Sequence, residues 1–595
     1  NRPRMCRSQG GAMKRGSKHL YGQILQAIGL ASLLIATACE SRDGEDVEAG
    51  AMVEDLEPLE LSSSIRFTEV TDTSGITAVM QSGESPSTQI LEVKGGSLAL
   101  IDIDDDGLLD LVMPNGATLA DPEAGPGLKA WRNLGNLRFI EVTDFLGIDH
   151  RRWTFGVAVG DYDGDGLDDL YLGCYGPNVL LRNVGDGTFV EVSKQAGVDH
   201  LGWTTAAAFG DLDADGDLDL VGVNYLEFDA ASPPDQVDFR GQKVLSGPHG
   251  LKAQANFVYE NLGNGTFYDR SISSGFTASD PRYSLNTAIL DMTNDGRADI
   301  YVGNDSHPNE LWINKGDWSF QDEGVRRGLA TNIEGSEQAT MGVAIGDVDG
   351  NGRPDIFTSN FSSDTNTLHL NMEDGFFADR TSTWGLAGVS RPYLGWATSF
   401  LDLDHDGDED LVVFNGHVYP QATTRTMDSD YRQPPLLFQR VGDRFERVTM
   451  LPMAMSRPHC DRSAVFADLD LDGDMDIIVG ELNGPLRVLR NDHDQDDDFI
   501  VVSLLDPQED SANPRGLGSM VQLEHDGRVQ RRWLLGGGPF QSVTPAIAHF
   551  GIGRSSESAW ITVIWPDGFE QLTEVAPGSH VTIERSVKEQ GGDGS

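Results

Sequence analysis

The chain has 595 residues, and 44 Lys and Arg stand against 94 Asp and Glu for a formal net charge of −50. The length allows about two or three domains, and the acidic surplus excludes a protein that works by neutralising nucleic-acid phosphates. Cys6, Cys39, Cys174 and Cys460 are too few and too scattered for a disulfide framework, and whether Cys174 pairs with Cys460 stays open at this level.

Taken in chain order, Met13 reads as the start. Lys14, Arg15 and Lys18 precede an apolar stretch from Tyr21 to Ile35, followed by Ala36-Thr37-Ala38-Cys39. A basic segment, a short apolar run and small residues before a cut make a secretory signal over residues 1–39. The run is short for a membrane span. Its end resembles a bacterial lipobox, which implies a diacylated Cys39 at the head of the mature chain. Ala36 stands where Leu is commoner, so an ordinary signal peptide is the alternative. Ser41 by the same resemblance implies the outer membrane or cell surface. Residues 40–61 are acidic and poor in aromatics, the composition of a disordered tether.

Residues 62–492 carry one acidic loop seven times. The first is Asp102-x-Asp104-x-Asp106-Gly107-x-x-Asp110. Asp161, Asp163, Asp165 and Asp169 form the second, and Asp211, Asp213, Asp215 and Asp219 the third. The fourth is Asp291, Thr293, Asp295 and Asp299, with a hydroxyl at its third position. The fifth is Asp347, Asp349, Asn351 and Asp355. Asp402, Asp404, Asp406 and Asp410 form the sixth, and Asp468, Asp470, Asp472 and Asp476 the seventh. Oxygen donors at alternate positions, a turn glycine and a closing carboxylate suit a hard cation, Ca²⁺ above all, at up to seven sites. Loops four and five, with fewer carboxylates, are expected to bind less tightly. An EF-hand is excluded, because position twelve is Met113, Leu172 or Gly222 rather than Glu, and the flanks have strand character.

Each loop lies in the same setting. An apolar strand enters it (Phe155–Gly160) and a second leaves it (Asp169–Leu172). A third (Val179–Asn183) and a Gly-rich turn lead to a fourth (Thr188–Val192). Short β-rich runs between such turns are antiparallel hairpins, and four per repeat make a propeller blade. Fourth strands begin at Phe139, Phe189, Phe267, Phe320, Phe377 and Phe445. The seventh repeat has no fourth strand of its own, and Ile65–Val70 would supply it. The expected fold is therefore all-β: a seven-bladed propeller closed by its N-terminal strand, then a small all-β C-terminal domain. The repeats resemble the FG-GAP and VCBS repeats of integrin α-type propellers. That resemblance implies calcium ligation by loop positions one, three, five and nine, with a backbone carbonyl from position seven, Leu108 in the first loop.

The connections opposite the acidic loops collect Arg, His and aromatics: Arg152, Trp153, Trp203, Tyr283, Trp396 and His459. Residues of this kind on rigidly held loops suit recognition, so a binding mouth for an anionic or carbohydrate-bearing partner is expected there. The opposing possibility is that the aromatics plug the channel while the arginines pair with nearby acids. Asn115, Asn224, Asn304, Asn360 and Asn415 recur thirteen residues after the first Asp and read as turn residues. The stretch Glu227–Asn256 is an unusually long loop, a frequent place for function.

Beyond an acidic linker, residues 499–586 read as strands at Phe499–Leu505, Met520–Glu524, Arg531–Leu535 and Trp560–Trp565, ahead of a disordered tail at 587–595. Gly516-Leu517-Gly518, Gly536-Gly537-Gly538, His549-Phe550-Gly551-Ile552-Gly553 and Ile564-Trp565-Pro566-Asp567-Gly568 resemble the ASPIC/UnbV domain. Propeller and domain together are similar to the cartilage acidic protein family and its bacterial relatives, which implies secretion and calcium binding. The triple glycine is no nucleotide loop, since Pro539 follows it and no βαβ unit surrounds it.

The leading functional expectation is a calcium-binding surface adhesion or ligand-binding protein without catalysis, monomeric, with a protein or carbohydrate partner. No nucleic acid is expected, and membrane contact only through the lipid. A Ca²⁺-dependent polysaccharide hydrolase or lyase is the enzymatic alternative, though no Gly-x-Ser-x-Gly, His-Glu-x-x-His or P-loop occurs. A scaffold subunit of a surface complex is the third.

Overall fold

The strands pair into seven blades, in an order that follows from the repeats. In a computed structural model that describes residues 64–373, 375–493, 498–508 and 511–586, the first blade is Ala99–Ile101, Asp110–Met113, Lys129–Asn133 and Phe139–Glu141, paired antiparallel in chain order. The next five begin with the inner strands Thr154–Gly160, Leu201–Gly210, Ser284–Leu290, Val343–Gly346 and Gly395–Leu401. The seventh takes Asp461–Ala467, Asp476–Glu481 and Gly484–Asn491 from its own repeat. Its outer strand is Phe67–Glu69, with Phe67 opposite Asn491. The N-terminal strand thus closes the ring and removes the open edge that a seventh blade of three strands would present. The signal segment, Cys39, the tether and the tail lie outside the described residues.

The seven Phe residues at the start of the fourth strands are all buried: Phe67, Phe139, Phe189, Phe267, Phe320, Phe377 (second in its strand, after exposed Phe376) and Phe445. They fill the clefts between neighbouring blades, which explains a bulky apolar residue at that one place in every repeat. The glycine in each acidic loop has a physical reason as well. Gly107, Gly166, Gly216, Gly296, Gly352, Gly407 and Gly473 all have φ between 81° and 100°, a region costly for any residue with a Cβ.

The C-terminal domain is two packed sheets. Four strands pair in the order Arg528–Trp533, Met520–His525, Ala559–Ile564, Glu570–Val575. Three pair in the order Ala548–Gly553, Asp498–Leu505, Ser579–Glu584, the last two being parallel. Ile500, Val502, Val521, Leu523, Phe550, Ile561 and Trp565 form its core. The strands at Ala548–Gly553, Glu570–Val575 and Ser579–Glu584 add to the four expected. Ring and domain belong to one compact unit. Cys174 and Cys460 are buried free thiols.

Candidate metal centres and axial pocket

In each repeat the turn is built before any cation is considered. Asp102 accepts the Asp106 N–H at 3.1 Å and the Gly107 N–H at 2.9 Å, folding the loop over its first carboxylate. Asp291 and Asp468 do the same for Asp295 and Gly296, and for Asp472 and Gly473. The ninth residue anchors the loop to the sheet. Asp110 takes the Ile103 N–H at 3.1 Å and, across the blade, the Asn133 N–H at 2.7 Å. Asp169, Asp219, Asp299, Asp355, Asp410 and Asp476 repeat that pair of contacts.

What these hydrogen bonds leave over points to a cation. Asp104 Oδ1, Asp163 Oδ1, Thr293 Oγ1, Asp347 Oδ1, Asp402 Oδ1, Asp404 Oδ1 and Asp470 Oδ1 are buried and make no hydrogen bond. Leaving a buried polar oxygen unpaired is costly, and six of the seven loops do so at predicted donor positions, five with a carboxylate and the fourth with the Thr293 hydroxyl. In the remaining loop, Asp211, Asp213 and Asp219 bring one oxygen each within 4.8 Å of one another, as do Asp102, Asp104 and Asp110 in the first. Outside the first two cages an arginine fixes the geometry. Arg132 bridges Asp104 and Asp106 at 2.8 Å each, and Arg182 bridges Asp163 and Asp165 at 2.6 and 3.0 Å. The bridged oxygens are the Oδ2 atoms, so the two Oδ1 atoms left orphaned are free to serve a cation. Burial, reinforced by the neighbouring carboxylates, pushes Asp110 and Asp299 up to about 7 and Asp169 and Asp355 up to about 9. A divalent cation would offset that surplus negative charge, so the donor set fits Ca²⁺.

A second repeated residue escaped the sequence reading. The Asn that ends the third strand donates its side-chain N–H to the loop of the preceding blade. Asn133 reaches Leu469 O, Asn183 Ile103 O, Asn261 Tyr162 O, Asn314 Leu212 O, Asn371 Met292 O and Asn491 Leu403 O, at 2.7–3.2 Å. Arg440 takes the place in blade six. The signal was visible as Asn before the Gly-rich turn, as in Arg182-Asn183. The other recurrent Asn, at the end of the second strand, behaves as expected: Asn224, for one, bonds the backbone of its own connecting segment.

The C-terminal domain covers the loop face over blades one and two, where Arg515 lies 3.4 Å from Asp105 and 4.0 Å from Asp168, and over blades five to seven. Gly551 N–H donates to Asp402 at 3.0 Å, His580 meets Asp468 at 2.6 Å, and Arg531 lies 3.5 Å from Asp347. All three acids are first-position residues. The triple glycine lets the next segment descend into the channel: a Cβ on Gly536 would strike the Phe209 carbonyl, and one on Gly537 would lie 2.6 Å from Thr287 O. Gly538 O accepts from Asn286 at 2.8 Å, and Phe540 is wholly buried against Trp396, ring centroids 4.9 Å apart.

The predicted mouth needs correction. Trp153, Trp203 and Trp396 are at most 1% exposed and Tyr283 is 6% exposed. They pack with Phe155 and Phe540 in the core on the ring axis, because residues at the start of an inner strand face the channel. Arg152 sits 3.8 Å from Glu123 and 4.0 Å from Glu191, and His459 is paired with Glu481 at 3.0 Å. Of the two possibilities, the plugged channel with paired arginines is the one present.

Above the plug, at the ends of the second strands opposite the acidic loops, lies an axial pocket of about 450 Å³. The long insertion forms one wall through Leu245 and His249, and Phe361 and Tyr419 another. Its floor is charged: Lys94 lies 3.2 Å from Tyr225 Oη and 3.5 Å from Asp305, and Tyr225 donates to Asp305 at 2.5 Å. Burial draws the Lys94 ammonium below its usual pKa, with Asp305 opposing. His417 takes the Tyr419 N–H at Nδ1, 3.0 Å, which places its own proton on Nε2, donated to Ser362 Oγ at 3.1 Å.

Comparison with known proteins agrees with this architecture. FG-GAP-like repeats match residues 102–172, 161–222, 291–358 and 347–413, and an ASPIC and UnbV domain matches 509–590. Cartilage acidic protein 1 of Homo sapiens is 25% identical over 295 residues, 47% of this chain and 40% of that protein. Its Xenopus tropicalis counterpart is 25% identical over 346 residues, covering 56% and 49%. The chain thus spans less than half the length of the relatives it matches. Among solved structures, an Agrocybe aegerita lectin that recognises non-reducing terminal N-acetylglucosamine aligns at 18% identity and a TM-score of 0.36, over 65% of this chain and 86% of that one.

Proposed function

Because the chain shares the FG-GAP and ASPIC/UnbV architecture of the cartilage acidic proteins, we propose that it is an exported, calcium-loaded propeller that captures a carbohydrate or protein ligand without transforming it. The observation that carries the calcium reading is the set of buried, unpaired oxygens at the predicted donor positions of six loops. Loops four and five, with Thr293 and Asn351, are the weaker sites. The basic and apolar N-terminal segment supports export, with Cys39 as the lipid attachment and the outer membrane or cell surface as the destination.

Ligand capture is assigned to the axial pocket in place of the buried tryptophans. Half-buried Phe361 and Tyr419 offer ring faces, and Ser306, Ser363 and Glu337 offer hydrogen bonds, the mixture that suits a polyhydroxylated ligand. The floor supports binding over catalysis, since Lys94, Tyr225 and Asp305 are engaged with one another. The test is binding of the calcium-loaded protein to a panel of immobilised cell-wall polysaccharides. Saturable retention is expected, lost in Phe361→Ala/Tyr419→Ala and reduced by chelator. Release of shortened glycan would instead mean an enzyme, and retention unchanged in the double variant would remove the pocket from the function.

A further inference from the structure

We propose that the seam between the C-terminal domain and blades six and seven is a binding site for a divalent transition-metal ion of the zinc type, held by His405, Asp474 and His549. His405 Nε2 lies 3.4 Å from Asp474 Oδ1 and 3.1 Å from Gly473 O. His549 Nε2, from the C-terminal domain, lies 2.8 Å from the same carbonyl. The two imidazoles are 5.3 Å apart by centroid, and His493 stands 5.0 Å behind His405. Donors about 2.0–2.1 Å from a tetrahedral zinc stand about 3.3 Å from one another. The 3.4 Å between His405 Nε2 and Asp474 Oδ1 matches that spacing, and Gly473 O, within 2.8–3.1 Å of both imidazole Nε2 atoms, gathers the two rings at one point beside it.

The strongest single sign is Asp474. Its side chain is 1% exposed, one oxygen takes the His493 N–H at 2.9 Å, and the other, Oδ1, has no hydrogen bond. That orphaned oxygen is the one facing His405 Nε2. A buried carboxylate oxygen without a hydrogen bond is expensive, and a cation shared with the two imidazoles satisfies it. Two imidazoles with one carboxylate select zinc-type ions over calcium, which prefers an all-oxygen shell.

The site is separate from the seven cages. His405 is the fourth residue of the sixth loop, between the predicted donors Asp404 and Asp406. Asp474 is the seventh residue of its loop, a place where the family resemblance uses only the backbone carbonyl. Neither side chain was a predicted calcium donor, and the third ligand comes from the other domain. Docking makes the site and glycine permits the docking: a Cβ on Gly551 would strike the backbone of His405, and one on Gly473 would strike the ring of Phe499, which closes the seam. The ion would then be a latch, tying the domain to the ring next to the loops it covers.

Cobalt(II) titrated into the full-length protein in saturating calcium tests this, since calcium occupies the oxygen cages and a four- or five-coordinate Co²⁺ with nitrogen ligands absorbs in the visible. One equivalent is expected to give such a band, abolished by one equivalent of Zn²⁺. His549→Gln should weaken it by more than about a hundredfold while leaving calcium stoichiometry unchanged, and Asp474→Asn should weaken it similarly. The wild-type spectrum decides without the variants: no band in saturating calcium overturns the site. A band that survives both substitutions places the cobalt elsewhere and overturns it too.

Discussion

Replacing Phe540 by Ala tests whether the C-terminal domain is structurally part of the propeller. The ring is wholly buried and packs edge-on against Trp396 at 4.9 Å, within the axial cluster that also holds Trp153 and Trp203. Truncating a buried Phe costs about 3–5 kcal/mol, rising with the cavity that remains. Here the cavity sits on the axis of a closed ring, whose blades are fixed to one another by the interblade Asn bonds, so little collapse is available and the upper part of that range is expected. The segment itself should stay in place, because Gly538 O remains bonded to Asn286 at 2.8 Å and Val343 at 3.3 Å, and Val543 N–H to Leu98 O at 3.1 Å. Equilibrium guanidinium unfolding in saturating calcium, followed by tryptophan fluorescence, measures the loss, and Phe540→Leu should recover most of it. A change below about 1 kcal/mol for Phe540→Ala, the scale of an ordinary surface substitution, would refute the plug as a stabilising element.

Two further outcomes follow from the geometry. Asn314→Ala removes side-chain bonds to Leu212 O at 2.7 Å and Ala298 O at 3.0 Å and leaves the Gly316 N–H without its 2.9 Å acceptor; a loss of about 2–4 kcal/mol is expected by the same unfolding assay, and a neutral result would remove the interblade stitch from the stability account. His150, buried and bonded to Thr154 Oγ1 at 2.7 Å, is held down to about 4 by burial and then by Arg152. Its folded pKa lies below the unfolded value of 6.5, so its stabilisation is complete above pH 6.5 and is lost as pH falls toward 4. The wild type should therefore lose about 3 kcal/mol more than His150→Gln over that window, and parallel pH profiles would contradict the burial argument.

The fold was readable because the repeat states its own geometry. Each Asp-rich turn needs a glycine at one φ, each cleft a Phe at one place, and the absent seventh Phe sent the count back to Phe67. The metal cages were readable for the same reason, as their donors are adjacent in sequence. The binding face was not. Trp153, Trp203 and Trp396 carry the same residue type whether they point into a channel or out of it, and only the partner that fills the channel decides. That partner, Phe540, comes from a segment far along the chain whose glycines have meaning only against Phe209 and Thr287. Lys94 and Asp305 meet on the axis from different blades, so no local pattern announces the pocket floor.

The clasp between Phe67–Glu69 and Gly484–Asn491 sets the order in which the molecule can mature. Thr68 meets Asp492, 424 residues further on, and Leu98 meets Ser542 and Val543 later still. A chain synthesised N-terminus first exposes its clasping strand long before the receiving blade exists. Until then Phe67–Glu69 stays unpaired and the apolar faces of blades one and six lie open, the condition in which chains recruit one another. Such distant pairings form slowly, and the axial plug comes last of all. The interval between synthesis and sealing is therefore when this chain is most exposed to aggregation and to proteases.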